Sequence, residues 1–169
     1  MRASTGLVRA ACFNILGERV QGASVLDLFG GIGSLGLEAL SRGAASATFV
    51  ELRRERAAVI AENARILGYE AITQVVTADV VAWLDANRAR AHEFDIVLMD
   101  PPYLESGPTI CLQALERLGA MAAPPGGWSP LVVVEHHRQL QLPEVAGDLA
   151  RVRESQYGMT TLSFYRSRP

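Results

Sequence analysis

Lysine is missing altogether: the 16 basic residues of this 169-residue chain are all arginines, set against 18 acidic ones for a formal charge of -2. A net-negative chain with no dense basic run lacks the footprint of a general electrostatic nucleic-acid binder. Any such contact must come from a local arginine patch. Cysteine is scarce too. Cys12 and Cys111 are too few for a disulfide framework or a four-ligand zinc site, which points to a reducing compartment and implies no metal centre. No run of about 18 uncharged apolar residues occurs, and the start of the chain lacks the roughly 7–15 apolar residues of a secretory leader. We therefore expect a soluble cytoplasmic monomer with no membrane partner.

What is abundant is apolar. With 49% hydrophobic and 20% charged residues, disorder is excluded, and a chain near this length buries roughly 70% of its unfolded surface. The expectation is one domain over residues 1–169, a helical segment (1–20) followed by the core (21–169). Short runs of Val, Ile, Leu and Phe alternate with longer amphipathic stretches, the pattern of repeated β-α units around a parallel sheet. Strands are expected near Ser24–Phe29, Ala47–Glu51, Thr73–Thr77, Phe94–Met99 and Leu131–Glu135. Ile96 to Met99 and Leu131 to Val134 are apolar on both faces, as strands covered by helices on each side must be. Helices are expected near Leu7–Leu16, Ser34–Ser41, Arg53–Leu67, Val80–Arg90 and Ile110–Met121, with Gly43 and Gly68 as C-terminal caps. The tail alternates instead. Leu149–Glu154 and Thr160–Arg166, joined around Tyr157-Gly158, predict an antiparallel pair closing the edge of a seven-stranded, mostly parallel α/β sheet.

After the first strand the chain reads Asp27-Leu28-Phe29-Gly30-Gly31-Ile32-Gly33-Ser34-Leu35-Gly36. Glycines let a ligand approach the backbone, and the following helix start favours an anion. Ligands of open α/β sheets bind beyond the carboxyl ends of the strands. Gly31 to Gly36 also satisfies the dinucleotide spacing, with Glu51 twenty positions on as a ribose-binding acid, so a nicotinamide enzyme fits locally. Asp27 separates the two readings. A carboxylate is unfavourable beside a pyrophosphate but suits the ammonium and sulfonium of S-adenosylmethionine. On that reading Asp27 faces the ammonium, the N–H groups of Gly31 to Gly33 receive the ligand carboxylate, and Glu51 accepts the ribose hydroxyls. Asp79 either accepts from the adenine amine or caps the next helix; the two roles are compatible.

Asp100-Pro101-Pro102-Tyr103 follows the fourth strand, next to the first in a doubly wound sheet. An exocyclic amine on a nucleobase is a poor nucleophile, because its lone pair is delocalised into the ring. Acceptors for its N–H groups turn that lone pair toward a sulfonium methyl. Asp100 and the Pro101 carbonyl can supply them, Pro102 stiffens the turn, and Tyr103 offers a stacking face.

With these motifs the chain resembles the RsmD-type enzymes, which methylate guanine N2 in small-subunit (16S) ribosomal RNA. The matching segments are Val8-Arg9, Phe13 to Leu16, Asp27 to Ala44, Glu51, Asp79, Asp100 to Tyr103, Glu135 and Tyr157-Gly158. The resemblance implies a Rossmann-like class I methyltransferase fold and S-adenosylmethionine as cofactor, held by Asp27, Phe29, Gly30, Gly31, Gly33, Glu51, Leu52, Ala78 and Asp79. It places Asp100 to Tyr103 around the target guanine and offers Arg9 and Asn14 as substrate contacts, with ribosomal RNA in a small-subunit particle as partner. Departures are Gly30 for the usual Ala, Ile32 for Ser, and Ala3 and Gly6 for Pro and Asp. The family's basic hairpin ahead of Arg2–Leu16 has no counterpart before Met1, so RNA contacts are expected from a few arginines, Arg2 and Arg9 among them. Alternatives are a DNA adenine-N6 methyltransferase, which commonly carries an added recognition domain, an NAD-dependent oxidoreductase, and a non-catalytic RNA-binding or assembly module. His136 and His137 read as loop or edge residues, and Trp83 and Trp128 as core anchors.

Overall fold

A computed structural model describes residues 6–103, 106–122 and 127–168; Arg2 and most of the Pro124-Pro125-Gly126-Gly127 cluster lie outside them. The elements run α1 (Gly6–Leu16), β1 (Ser24–Leu28), α2 (Ser34–Ser41), β2 (Ser46–Glu51), α3 (Arg54–Ile66), β3 (Thr73–Thr77), α4 (Val80–Ala86), α5 (Arg88–Ala91), β4 (Ile96–Met99), α6 (Gly107–Met121), β5 (Leu131–His137), β6 (Val145–Ala146), β7 (Leu149–Tyr157) and β8 (Thr160–Ser167). They build an eight-stranded sheet in the order β3-β2-β1-β4-β5-β8-β7-β6. Strands β1 to β5 are mutually parallel, and β8, β7 and β6 are antiparallel to their neighbours.

The alternation of β1 explains both layers of the core. Val25 and Asp27 face one side, where α1 and α3 contribute Phe13, Leu16 and Ile60. Leu26 and Leu28 face the other, against Trp83 and Leu84 of α4 and Leu115 and Leu118 of α6. Strand β4 is buried at every position, as its unbroken apolar run requires. Asp27 is therefore an acid placed by strand periodicity into an apolar layer, and at 2% exposure it needs a dedicated partner.

Four expectations change in detail. The sheet has eight strands, not seven, because the connection after β5 adds the two-residue β6, too short to produce a periodicity. The expected Val80–Arg90 helix divides at Asn87, whose Nδ2–H bonds back to the Trp83 carbonyl at 2.9 Å while its backbone leaves helical geometry (φ -123°, ψ 34°). Helix α6 starts at Gly107, before Ile110, because Pro108 sits in its first turn with φ already helical. Finally, β1 ends at Leu28, and Phe29 turns left-handed with φ 62°. Gly43 and Gly68 take positive φ at the helix ends, as expected of caps. Trp83 and Trp128 are buried, the latter donating from Nε1 to the Phe94 carbonyl at 2.8 Å.

Candidate active site at the carboxyl ends of the strands

The ends of β1, β2, β4 and β5 bring most of the singled-out residues together. Phe29 opens the turn in a conformation that costs a non-glycine residue roughly 1–2 kcal/mol, and Gly31 (φ 60°) and Gly33 (φ 92°) continue it. Strained backbone of this kind persists only where the surroundings enforce it. Here the Gly30 N–H bonds to the Val50 carbonyl at 3.0 Å, and Asn63 of α3 reaches the Ile32 carbonyl at 3.2 Å. Nothing in the sequence pattern marked Asn63, which sits on an otherwise ordinary helix.

Two carboxylates are built into this turn. Glu51, at the end of β2, accepts from Gly31 N–H at 2.7 Å and from Arg53 N–H at 3.1 Å, one on each oxygen. Asp27 accepts from Gly36 N–H at 2.9 Å, from inside the first turns of α2. Gly36 permits that approach, since a Cβ there would run into the Phe49 ring. Burial raises the Asp27 pKa well above the usual carboxylate value; the Gly36 N–H opposes this, and the fields of Asp100 and Glu51 reinforce it. Three acids thus share one neighbourhood. Such a cluster is costly alone and is relieved by a cation, so the donor set fits a ligand carrying a sulfonium and an ammonium.

The turn differs from expectation at its amides. Gly31 N–H is committed to Glu51, and Gly33 N–H to the Gly30 carbonyl at 2.8 Å. Of the three amides expected to receive the ligand carboxylate, only that of Ile32 has no acceptor among the described residues. Leu52 is 65% exposed beyond Glu51, and the Ala78 N–H ties to the Glu51 carbonyl at 3.0 Å. Asp79 caps α4 through Ala82 N–H at 2.9 Å.

Beyond β4, Asp100 is half-buried, Pro101 buried and Pro102 exposed. Tyr103, 38% exposed, meets the His137 ring edge-on at 5.6 Å between centroids. Pro101, Pro102, Tyr103 and His137, together with Gly107, Pro108, His136, Gln139 and Leu140, line a cavity of about 250 Å³. Gly107 is a second residue that sequence reasoning missed: a Cβ there would overlap the Pro102 carbonyl oxygen. The first turn of α6 therefore packs directly on the tetrapeptide. Arg9 and Asn14 stay outside this cavity. Arg9 pairs with Glu38 of α2 at 3.2 Å, Glu38 also binds Arg42 at 3.2 Å, and Asn14 is exposed on α1. A larger cleft of about 800 Å³, lined by Arg19, Asp95, Trp128 and Arg166 among others, lies at the opposite ends of the strands and holds none of the candidate residues.

The strand order, the antiparallel closing strands and a ligand turn at the end of β1 define a class I methyltransferase fold. Within that class the chain belongs to the family described as conserved hypothetical protein 95, whose model matches residues 1–166. It is 34% identical over 167 residues to YlbH of Bacillus subtilis, named as a candidate rRNA methyltransferase, covering 99% of this chain and 88% of that one. It is 32% identical over 166 residues to ribosomal RNA small subunit methyltransferase D of Escherichia coli, covering 98% and 79%. The solved structure of the Escherichia coli protein yhhF, described as a candidate methyltransferase, superposes with a TM-score of 0.79 at 29% identity, covering 99% of this chain and 90% of that one. The resemblance to the RsmD-type family is thereby borne out. Among the described residues no helix is long and apolar enough to cross a membrane.

Proposed function

We propose that this chain is a cytoplasmic, S-adenosylmethionine-dependent RNA methyltransferase acting on the N2 amine of a guanine in small-subunit ribosomal RNA, working as one catalytic domain. The observation that carries the reading is the juxtaposition of a buried acid cluster, Asp27 and Glu51 with Asp100 nearby, and an open base-sized cavity walled by Pro101, Pro102 and Tyr103. S-adenosylmethionine supplies an electrophilic methyl group. The chain's own residues position the nucleophile. Asp100 and the Pro101 carbonyl accept the amine N–H bonds, turning the nitrogen lone pair toward the methyl, while Tyr103 holds the ring by stacking. Asp27 takes the ligand ammonium, Glu51 its ribose hydroxyls and Ile32 N–H its carboxylate, with Phe29, Gly30, Leu52, Ala78 and Asp79 along the adenosine. Methyl transfer would move the positive charge from sulfur to the amine nitrogen, which would then lose a proton to Asp100 or to water, so the chain's main contribution would be alignment of the amine. The relatives' names support ribosomal RNA as the substrate class.

An NAD enzyme has no use for Asp27, whose buried carboxyl on the Gly36 amide is unfavourable beside a pyrophosphate. Calorimetry decides between them: S-adenosylhomocysteine should bind and NAD should not, and the reverse result defeats the reading. Tritiated methyl transfer to undermethylated small-subunit particles, with mass spectrometry of the nucleoside, should yield N2-methylguanosine. N6-methyladenosine would replace the guanine assignment, and no transfer would favour an assembly module.

A further inference from the structure

Two adjacent histidines end β5, and their hydrogen bonds give them opposite capacities. The His136 ring is 3% exposed, with Nδ1 at 3.0 Å from the His137 carbonyl and Nε2 at 2.8 Å from Ser163 Oγ. A carbonyl only accepts, so Nδ1 carries a proton, while Nε2 shares the Ser163 hydroxyl with the Glu154 carboxylate 3.4 Å away. Burial holds the His136 pKa below its ordinary value. Both ring nitrogens are spent on the fold. His137 is arranged the other way round. Its Nδ1 accepts from Gln139 N–H at 3.1 Å, which places the proton of the neutral ring on Nε2. That N–H donates to no other group among the described residues, and the ring forms a wall of the cavity against the edge of Tyr103.

The cavity, about 250 Å³, lies below the roughly 300–1,000 Å³ of clefts for drug-sized ligands. It suits one planar base and not a whole nucleotide. Its other walls are prolines, a glycine, Leu140, the Tyr103 ring, the buried His136 and Gln139, leaving few side chains that can read polar groups, Gln139 and His137 among them. His137 is the one whose protonation pattern is fixed by the backbone. We propose that His137 Nε2–H donates a hydrogen bond to a carbonyl oxygen of the target base and so selects guanine, which carries an oxygen at ring position 6, over bases that carry an amine there. A donor facing a donor leaves two buried N–H groups unsatisfied, the costly arrangement in a desolvated site.

The inference rests on the RNA methylation reading above. The test uses particles reconstituted from RNA ligated around a synthetic segment, carrying guanine or 2,6-diaminopurine at the methylated position. Both bases keep the N2 amine. Wild type should favour guanine in kcat/KM by about 10- to 100-fold, the scale of a buried donor losing its acceptor. His137→Phe keeps an aromatic edge against Tyr103 and should reduce that preference to below about threefold, with S-adenosylhomocysteine binding unchanged by calorimetry. His137→Gln, which can still donate, should restore part of the preference. Equal transfer to both bases by wild type, or an undiminished preference in His137→Phe, overturns the proposal and leaves the methyltransferase reading intact. Loss of S-adenosylhomocysteine binding in His137→Phe also overturns it, because the ring would then be supporting the fold. If wild type binds S-adenosylhomocysteine but methylates neither base, the RNA reading itself fails, and this proposal with it.

Discussion

The two halves of the site are built in opposite ways. At the ends of β1 and β2 the acids are buried and held by main-chain amides, Asp27 by Gly36 and Glu51 by Gly31 and Arg53. At the ends of β4 and β5 the corresponding surfaces stand open, with Pro102 and Tyr103 exposed. The first half is preorganised for a small ligand of fixed shape. Its polar groups are aimed before anything binds, and the cost is carried by the fold as a strained Phe29 and an acid without a cation. The second half is shaped for a base delivered by a much larger molecule, so it must be reachable from solvent and gain its tightness on contact.

Substitutions can break this comparison in a graded way. The largest effect belongs to the open half. Asp100→Ala should lower methyl transfer at least about a hundredfold, as for loss of a positioned transition-state contact, while S-adenosylhomocysteine affinity changes only a few-fold; an unchanged rate would remove Asp100 from the mechanism. In the buried half the division reverses. Glu51→Ala should weaken S-adenosylhomocysteine binding roughly 10- to 100-fold in calorimetry, the scale of losing hydrogen bonds to a charged group, and saturating cofactor should recover most of the rate. Tyr103→Ala should raise KM for the particle about tenfold or more, consistent with 1–3 kcal/mol for base stacking, with little change in cofactor affinity.

The smallest effect tests the stored cost. The folded pKa of Asp27 is raised, foremost by burial, so its contribution to stability is full below the unfolded value of about 4 and is lost as pH rises through the folded value. Asp27→Asn does not titrate. The ligand-free variant should melt higher than wild type near neutral pH, and the gap should close toward pH 4, even as the variant loses S-adenosylhomocysteine binding. A gap independent of pH would show that Asp27 is not the source of the strain.

Much of this was legible in the sequence because it depends on periodicity. Doubly apolar runs marked β4 and β5, alternation marked β7 and β8, and the spacing from Asp27 through Gly33 to Glu51 marked the ligand turn. Features that depend on single contacts were not. The two residues of β6 have no period, the break at Asn87 turns on one side-chain bond, and commitment of the Gly31 amide to Glu51 is visible only once β1 and β2 lie side by side. His137 looked like an edge residue because its role depends on which ring nitrogen the Gln139 amide occupies. Arg9, singled out as a substrate contact, is instead paired with Glu38 and joins α1 to α2.

Gly107 carries a consequence for how this surface can change over generations. The shape of the reactive tetrapeptide is set in part by a side chain that is missing from a neighbouring helix, so a single methyl group at that position displaces Pro102. A saturation library should find Gly107 nearly as intolerant as Asp100, although its backbone needs no unusual conformation and it takes no part in the chemistry. Lineages drifting toward another target base are therefore free to vary the β5 side of the cavity, and are held almost immobile on the α6 side.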